Sequence, residues 1–124
     1  MTDTNKPAYL VVCGTMLGGT PDPEYGKRAA APAEKAQLKA IAGGTIGEQV
    51  KVLEGELPAG ATFMAVEQFP SMAALEEFYY SEEYQSAIPF RKDTVRMDFL
   101  AAVDGISEAE LEARRQAALD AAAD

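Results

Sequence analysis

Between Phe78 and Gln85 the chain reads Phe-Tyr-Tyr-Ser-Glu-Glu-Tyr-Gln, and Arg91 follows shortly after. Phenol hydroxyls and a planar guanidinium are groups that hold an electron-rich oxygen, the guanidinium through a fork of donors. Tyr25, Tyr80 and Tyr84 are therefore candidates for steadying a phenol, enolate or carbonyl oxygen, and Arg91 for clamping a substrate carboxylate. The competing assignment for each tyrosine is amphipathic packing with its hydroxyl at the surface. For Arg91 it is a salt bridge to Glu67, Glu82 or Glu83. Glu67 stands mid-strand among Phe63, Ala65 and Phe69. A carboxylate on an apolar face is desolvated, its pKa rises, and it becomes suited to general-base work. Pairing with Arg91 or Arg96, or an edge position facing water, is the structural alternative. Phe69 joins the three tyrosines as expected substrate wall.

Other chemistry is thinly represented. The 124 residues contain no histidine, which removes the commonest general acid/base and the commonest metal ligand, and excludes a Ser-His-Asp or Cys-His arrangement within one chain. Ser81 is read as a helix cap, not a nucleophile. Gly18-Gly19 lacks the lysine and hydroxyl signature of a phosphate loop and reads as a turn. No acidic cluster has metal-ligand spacing, so neither a cofactor nor a metal is expected. Cys13, the one cysteine, lies in an apolar strand and behaves as a small hydrophobe. Arg96 and Asp98 alternate with the apolar face of the last strand and are read as structural.

Bulk composition sets the frame for these residues. The length suits one domain with one modest core. A net charge of -9 repels polyanions, and without a basic stripe it argues against nucleic acid. The polar stretch Met1–Pro7 is expected to be disordered and offers no apolar leader, and no run approaches membrane-spanning length. A cytoplasmic protein, with no membrane partner, is the expectation.

The elements that must position the candidate site follow from periodicity and punctuation. Ala8–Met16 is short, apolar and β-branched, a strand apolar on both faces. Residues 24–42 are rich in helix formers, with Pro32 expected to kink the helix and Gly43-Gly44 to stop it. A second strand is expected over 45–54, a third over 62–69, and a helix capped by Ser71 after Pro70. Residues 81–90 read as a further helical piece, and 94–103 as a strand by alternation of Val95, Met97, Phe99, Ala101 and Val103. Ser107 and Glu110 form a capping box opening a final Ala-rich helix to about residue 122.

The order β-α-β-β-α-β predicts an α+β, ferredoxin-like fold: a four-stranded antiparallel sheet with both main helices on one face, plus an extra C-terminal helix. The domain spans 8–105, with the helical tail over 106–124. Helices on one face leave the other bare. The first strand is apolar on both sides, Tyr9, Val11 and Cys13 against Leu10 and Val12, so burying only one side would leave an exposed apolar patch, which a homodimer built by packing two bare sheets removes.

The sequence resembles the family known as domain of unknown function 1330, within the dimeric α+β barrel superfamily. The resemblance is carried by Ala8-Tyr9-Leu10-Val11, Tyr25, Pro32, Gly43-Gly44, Glu54-Gly55, Glu67-Gln68-Phe69-Pro70-Ser71, the run Phe78–Gln85, Arg91 and Val103-Asp104-Gly105. It covers about 8–105; the tail after Ser107 departs from it. The resemblance implies a barrel-like dimer with a pocket between helices and sheet in each subunit. Related superfamily members include cofactor-free monooxygenases, muconolactone isomerases, polyketide cyclases and haem-dependent chlorite dismutases, and the missing histidine speaks against the last. Residues and resemblance together lead to an expectation: a small enzyme-like protein for a hydrophobic carbonyl or phenolic metabolite. It would work by cofactor-free proton transfer, with Glu67 as base, Arg91 as anion clamp and tyrosine hydroxyls on the developing oxyanion. The alternative is a module that binds such a metabolite without changing it.

Overall fold

The computed structural model describes residues 6–123. Its elements run β1 (Ala8–Met16), α1 (Pro23–Lys35), β2 (Lys39–Thr45), β3 (Phe63–Phe69), α2 (Met72–Tyr79), α3 (Glu82–Ala87), a 3-10 turn (Ile88–Phe90), β4 (Val95–Asp104) and α4 (Glu108–Ala123). The strands form one antiparallel sheet in the order β2-β3-β1-β4. This is the ferredoxin-like α+β architecture, with an added C-terminal helix.

Register decides what each face carries. Leu10 lies opposite Glu67 and Ala102, and Val12 opposite Ala65 and Leu100, so these residues share the helix-covered face. Ala8, Leu10, Val12 and Phe69 are buried there against Leu75, Phe78 and Tyr84. Tyr9, Val11 and Cys13 lie opposite Gln68, Val66 and Met64 and opposite Val103, Ala101 and Phe99, on the face without helices. Apart from buried Cys13, that face stays partly open, Val103 being 48% exposed. At the β1–β4 irregularity, Thr15 donates to Asp98 Oδ2 at 2.7 Å and Arg96 Nε pairs with Asp98 Oδ1 at 3.1 Å, a structural role for both charged residues.

Two elements differ from expectation for one reason. The sequence places the first helix over 24–42, but α1 ends at Lys35. Gln37 takes a left-handed backbone (φ 58°), with Leu38 N–H donating to Ala33 O and Gln37 N–H to Glu34 O, a Schellman closure. Its early stop frees 39–45 to pair with β3 as an edge strand. Gly43 is needed there: a Cβ would stand 2.7 Å from Met64 O. The strand expected over 45–54 is absent. Thr45 O instead accepts from Glu48, Gln49 and Val50 N–H, a tight turn that leads into irregular chain up to β3. α1 runs unbroken through Pro32, which sits in its last turn and gives up the one ladder bond its N–H would have made.

The three serine caps match expectation, whereas Glu110, expected to complete a box with Ser107, accepts from Arg114 Nη2 at 3.1 Å instead. Ser71 Oγ accepts from Ala74 N–H, Ser81 Oγ from Tyr84 N–H, and Ser107 Oγ from Glu110 N–H, each at 3.1 Å. Of the terminus expected to be disordered, 1–5 lie outside the described residues. Pro7 O accepts from Gly105 N–H at 2.8 Å, and Lys6 pairs with Asp104 at 3.0 Å. No helix among the described residues is long and apolar enough to cross a membrane.

A non-glycine residue in the left-handed region carries a cost of roughly 1 kcal/mol. Gln37→Gly is expected to raise Tm by about 2–4 °C, and Gln37→Val to lower it. Thermal melts followed by circular dichroism measure both.

Candidate functional site

The covered face closes over its middle and opens towards Gly14. There β1 has no side chain, and Phe63 from β3 leans across; a Cβ at Gly14 would stand 2.7 Å from the Phe63 ring. Beyond the tight Ala8–Val12 core, a cavity of about 480 Å³ opens between α1 and the sheet. Phe63, Met97, Met16, Val95 and Phe90 give it apolar walls, and Tyr25, Arg91 and Thr94 its inner polar groups. The volume lies within the range of small-molecule pockets, about 300–1,000 Å³.

α1 supplies Tyr25 one turn in from its Asp22 cap, and the Ser81-capped α3 supplies Tyr84. Their hydroxyls are 2.9 Å apart and their rings meet edge-on at 6.2 Å. The Phe78 ring lies 4.5 Å from that of Tyr84, tilted by 38°, and supports it from behind. The turn after α3 swings Arg91 inward, where its guanidinium carbon sits 5.9 Å from the centre of the Tyr25 ring. Arg91 is 8% exposed, and its Nε is a buried side-chain polar atom without a hydrogen-bond partner. Thr94, also buried, spends its hydroxyl on Arg91 O at 3.2 Å. Burial pushes the Tyr25 phenol well above its ordinary value; the Tyr84 hydroxyl adds to the rise and the Arg91 guanidinium pulls back against it. Tyr25 thus stays a neutral hydrogen-bonding phenol at ordinary pH. Asp22, exposed at the mouth, accepts from Glu24 N–H at 2.9 Å.

Three of the six residues singled out from sequence come together here: Tyr25, Tyr84 and Arg91. The other three lie elsewhere. Phe69 is wholly buried in the core, 5.4 Å from Phe78. Tyr80 is 73% exposed and borders a separate groove of about 420 Å³ beside Pro32 and Lys35. Glu67 shares the covered face but sits four residues along β3 from Phe63, a rise of about 13 Å. It does not line the cavity. Its carboxylate makes no hydrogen bond or ion pair among the described residues, and burial raises its pKa. Sequence reasoning named Phe63, Met97 and Met16 only as strand residues and Phe90 only as the end of a helical piece. The signal for Phe63 was its place on the same face of β3 as Glu67; Phe90 gave none beyond its position before Arg91.

Comparison with known proteins agrees with this architecture. The RPA0582 protein of unknown function from Rhodopseudomonas palustris is 17% identical, over 83% of this chain and 85% of that one, with TM-score 0.57. A dimeric protein of unknown function with a ferredoxin-like fold from Bacteroides fragilis is 14% identical over 79% and 93% (TM-score 0.40). The hydroxynitrile lyase from Passiflora edulis is 15% identical over 84% and 96% (TM-score 0.46). Likeness at these levels concerns fold alone, and the two lower scores bear on nothing further. No curated protein matches the sequence. The model described as Domain of unknown function (DUF1330) matches residues 7–106, and the chain belongs to that family.

The raised Glu67 pKa has a definite sign. The folded state holds the proton more tightly than the unfolded one, so ionised Glu67 costs stability above its folded pKa, and the cost vanishes below the ordinary value of 4.5. Glu67→Gln is expected to melt higher than wild type at pH 7, with the gap closing as pH falls below 4.5. Paired melts at pH 7 and pH 4 measure it.

Proposed function

We propose that this member of the DUF1330 family binds a hydrophobic carbonyl or phenolic metabolite in the cavity between α1 and the sheet. The carrying observation is the buried Arg91 Nε–H, without an acceptor, beside the Tyr25–Tyr84 hydroxyl pair in an apolar hollow. A buried donor left unsatisfied costs about 1–3 kcal/mol, and a ligand oxygen would remove that cost. Phe63, Met97 and Phe90 would take the ligand's apolar body. The arrangement steadies an oxygen but offers no base. Asp22 is engaged as a helix cap at the mouth, and Glu67 lies along the strand. Binding without conversion is accordingly the first reading.

Cofactor-free proton transfer is the second reading, favoured by the half-buried, unpaired Glu67 carboxylate. It requires a ligand long enough to span from Arg91 to Glu67. Tyr80 and Phe69 would enter only through motion of α2. A reducing, cytoplasmic setting is consistent with the free Cys13 thiol.

A homodimer completes the proposal, with the bare sheet face as the contact. Tyr9, Val11, Val66, Phe99 and Val103 would pack against their copies in a partner, removing an apolar patch that a soluble chain rarely leaves open.

Two experiments test these points. Gly26 lines the cavity, and a Cβ there meets nothing within 4 Å, so a substitution meets no obstacle at its first atom. 2-Naphthol, followed by its fluorescence, is expected to bind wild type and Glu67→Gln alike and to lose at least about tenfold in affinity with Gly26→Trp. Equal binding by the Trp variant would place the ligand elsewhere. Turnover of a bound metabolite that Glu67→Gln abolishes would favour the second reading. In sedimentation equilibrium at micromolar concentration, wild type is expected at twice the chain mass and Val66→Glu at the mass of one chain.

A further inference from the structure

We infer that the cavity's occupant is an anion, a hydrophobic monocarboxylate whose carboxylate is the counter-ion of Arg91. The inference rests on the cavity reading above and narrows it from any electron-rich oxygen to a charged one.

Arg91 presents two separate deficits. Its Nε–H lacks an acceptor, which any carbonyl would satisfy. Its charge also lacks a partner: no carboxylate among the described residues pairs with it, although the side chain is more than nine-tenths buried. A neutral ketone or phenol would mend the first deficit and leave the second. Holding a cation away from water without a counter-charge is costly, and an opposite charge offsets that more fully than the Tyr25 ring 5.9 Å away.

The neighbouring charges do not serve. Asp22 is at the mouth, exposed, and bound to Glu24 N–H. Glu24 is paired with Arg28 at 2.9 Å. Arg28 itself stacks 4.7 Å over the Phe90 ring, outside the inner wall.

Donors outnumber acceptors inside. Arg91 Nε–H is unspent, and the Tyr25–Tyr84 pair uses one hydroxyl proton on the mutual bond, leaving a second to offer. Thr94 has given its own proton to Arg91 O. A carboxylate, which only accepts and takes the guanidinium fork through two oxygens, is the complement of such a set.

The charge count limits the ligand to one negative charge. A phosphate or dicarboxylate would need a second inward cation. The remaining inner walls are Phe63, Met97, Met16, Val95 and Phe90, which suit an aryl or branched alkyl body. The net charge of -9 further penalises a dianion's approach.

The test compares near-isosteric probes by calorimetry: phenylacetate against phenylacetamide, with phenol as a neutral reference. Wild type is expected to bind phenylacetate at least about tenfold more tightly than phenylacetamide. Arg91→Lys should keep part of that preference and Arg91→Met should erase it. If the amide or phenol binds wild type as tightly as the acid, the anion inference is overturned while the cavity reading stands. If none of the three binds, both fall. The comparison of probes on wild type needs no variant, so it decides the matter even where Arg91→Met folds poorly.

Discussion

Ala8, Leu10 and Val12 turn one apolar side of β1 to the helices, while Tyr9, Val11 and Cys13 turn the other to no helix at all. The rest of the molecule arranges itself around that imbalance. On the covered side, Leu75, Phe78 and Tyr84 press down on Leu10 and Val12, and the helices are held at a distance set by those side chains. Towards Gly14 the strand has no side chain of its own, Phe63 leans into that place, and beside its ring the layers part to leave a hollow. On the uncovered side the same strand presents a surface that calls for a second molecule. The proposed pocket and the proposed dimer thus have a common origin in one strand with two apolar faces.

The hollow is not a neutral packing defect. A dry void lined by leucines would take only an apolar guest. Here the turn after α3 places a guanidinium against it, and Tyr84, held by Phe78 and bonded to Tyr25, fixes the phenol pair beside that charge. Rigid supports on two elements give the polar groups fixed directions before any ligand arrives, which lowers the ordering cost of binding. In an isolated fold this placement of Arg91 is unfavourable, and the proposed occupant would offset that cost.

Much of the architecture could be read from periodicity. β1, β3 and β4 have β-branched or alternating patterns, and Ser71, Ser81 and Ser107 mark helix starts by ordinary capping chemistry. β2 escaped because Lys39–Thr45 is made largely of Ala, Gly and Lys, which carry no strand signature. The helix stop before it depends on Gln37 adopting a conformation normally left to glycine. Edge pairing with β3 overrode local propensity there. At the site, residue types pointed to Tyr25, Tyr84 and Arg91, but three-dimensional grouping was legible only in part. Alternation gives Glu67 its face and not its distance from the cavity. Tyr79, Tyr80 and Tyr84 look like one cluster in sequence, yet the break between α2 and α3 turns Tyr80 outward and Tyr84 inward.

The claim on which most rests is that the Arg91 Nε–H waits for an acceptor that the chain does not supply. It can be observed directly in a proton–nitrogen correlation spectrum of the arginine side chains, with Arg91 assigned through Arg91→Lys. On adding phenylacetate, the account expects the Arg91 Nε–H resonance to move downfield and its exchange with water to slow, while the other arginines stay in place. An Arg91 signal that already lies downfield without ligand, or one that saturating phenylacetate leaves unmoved, would contradict it.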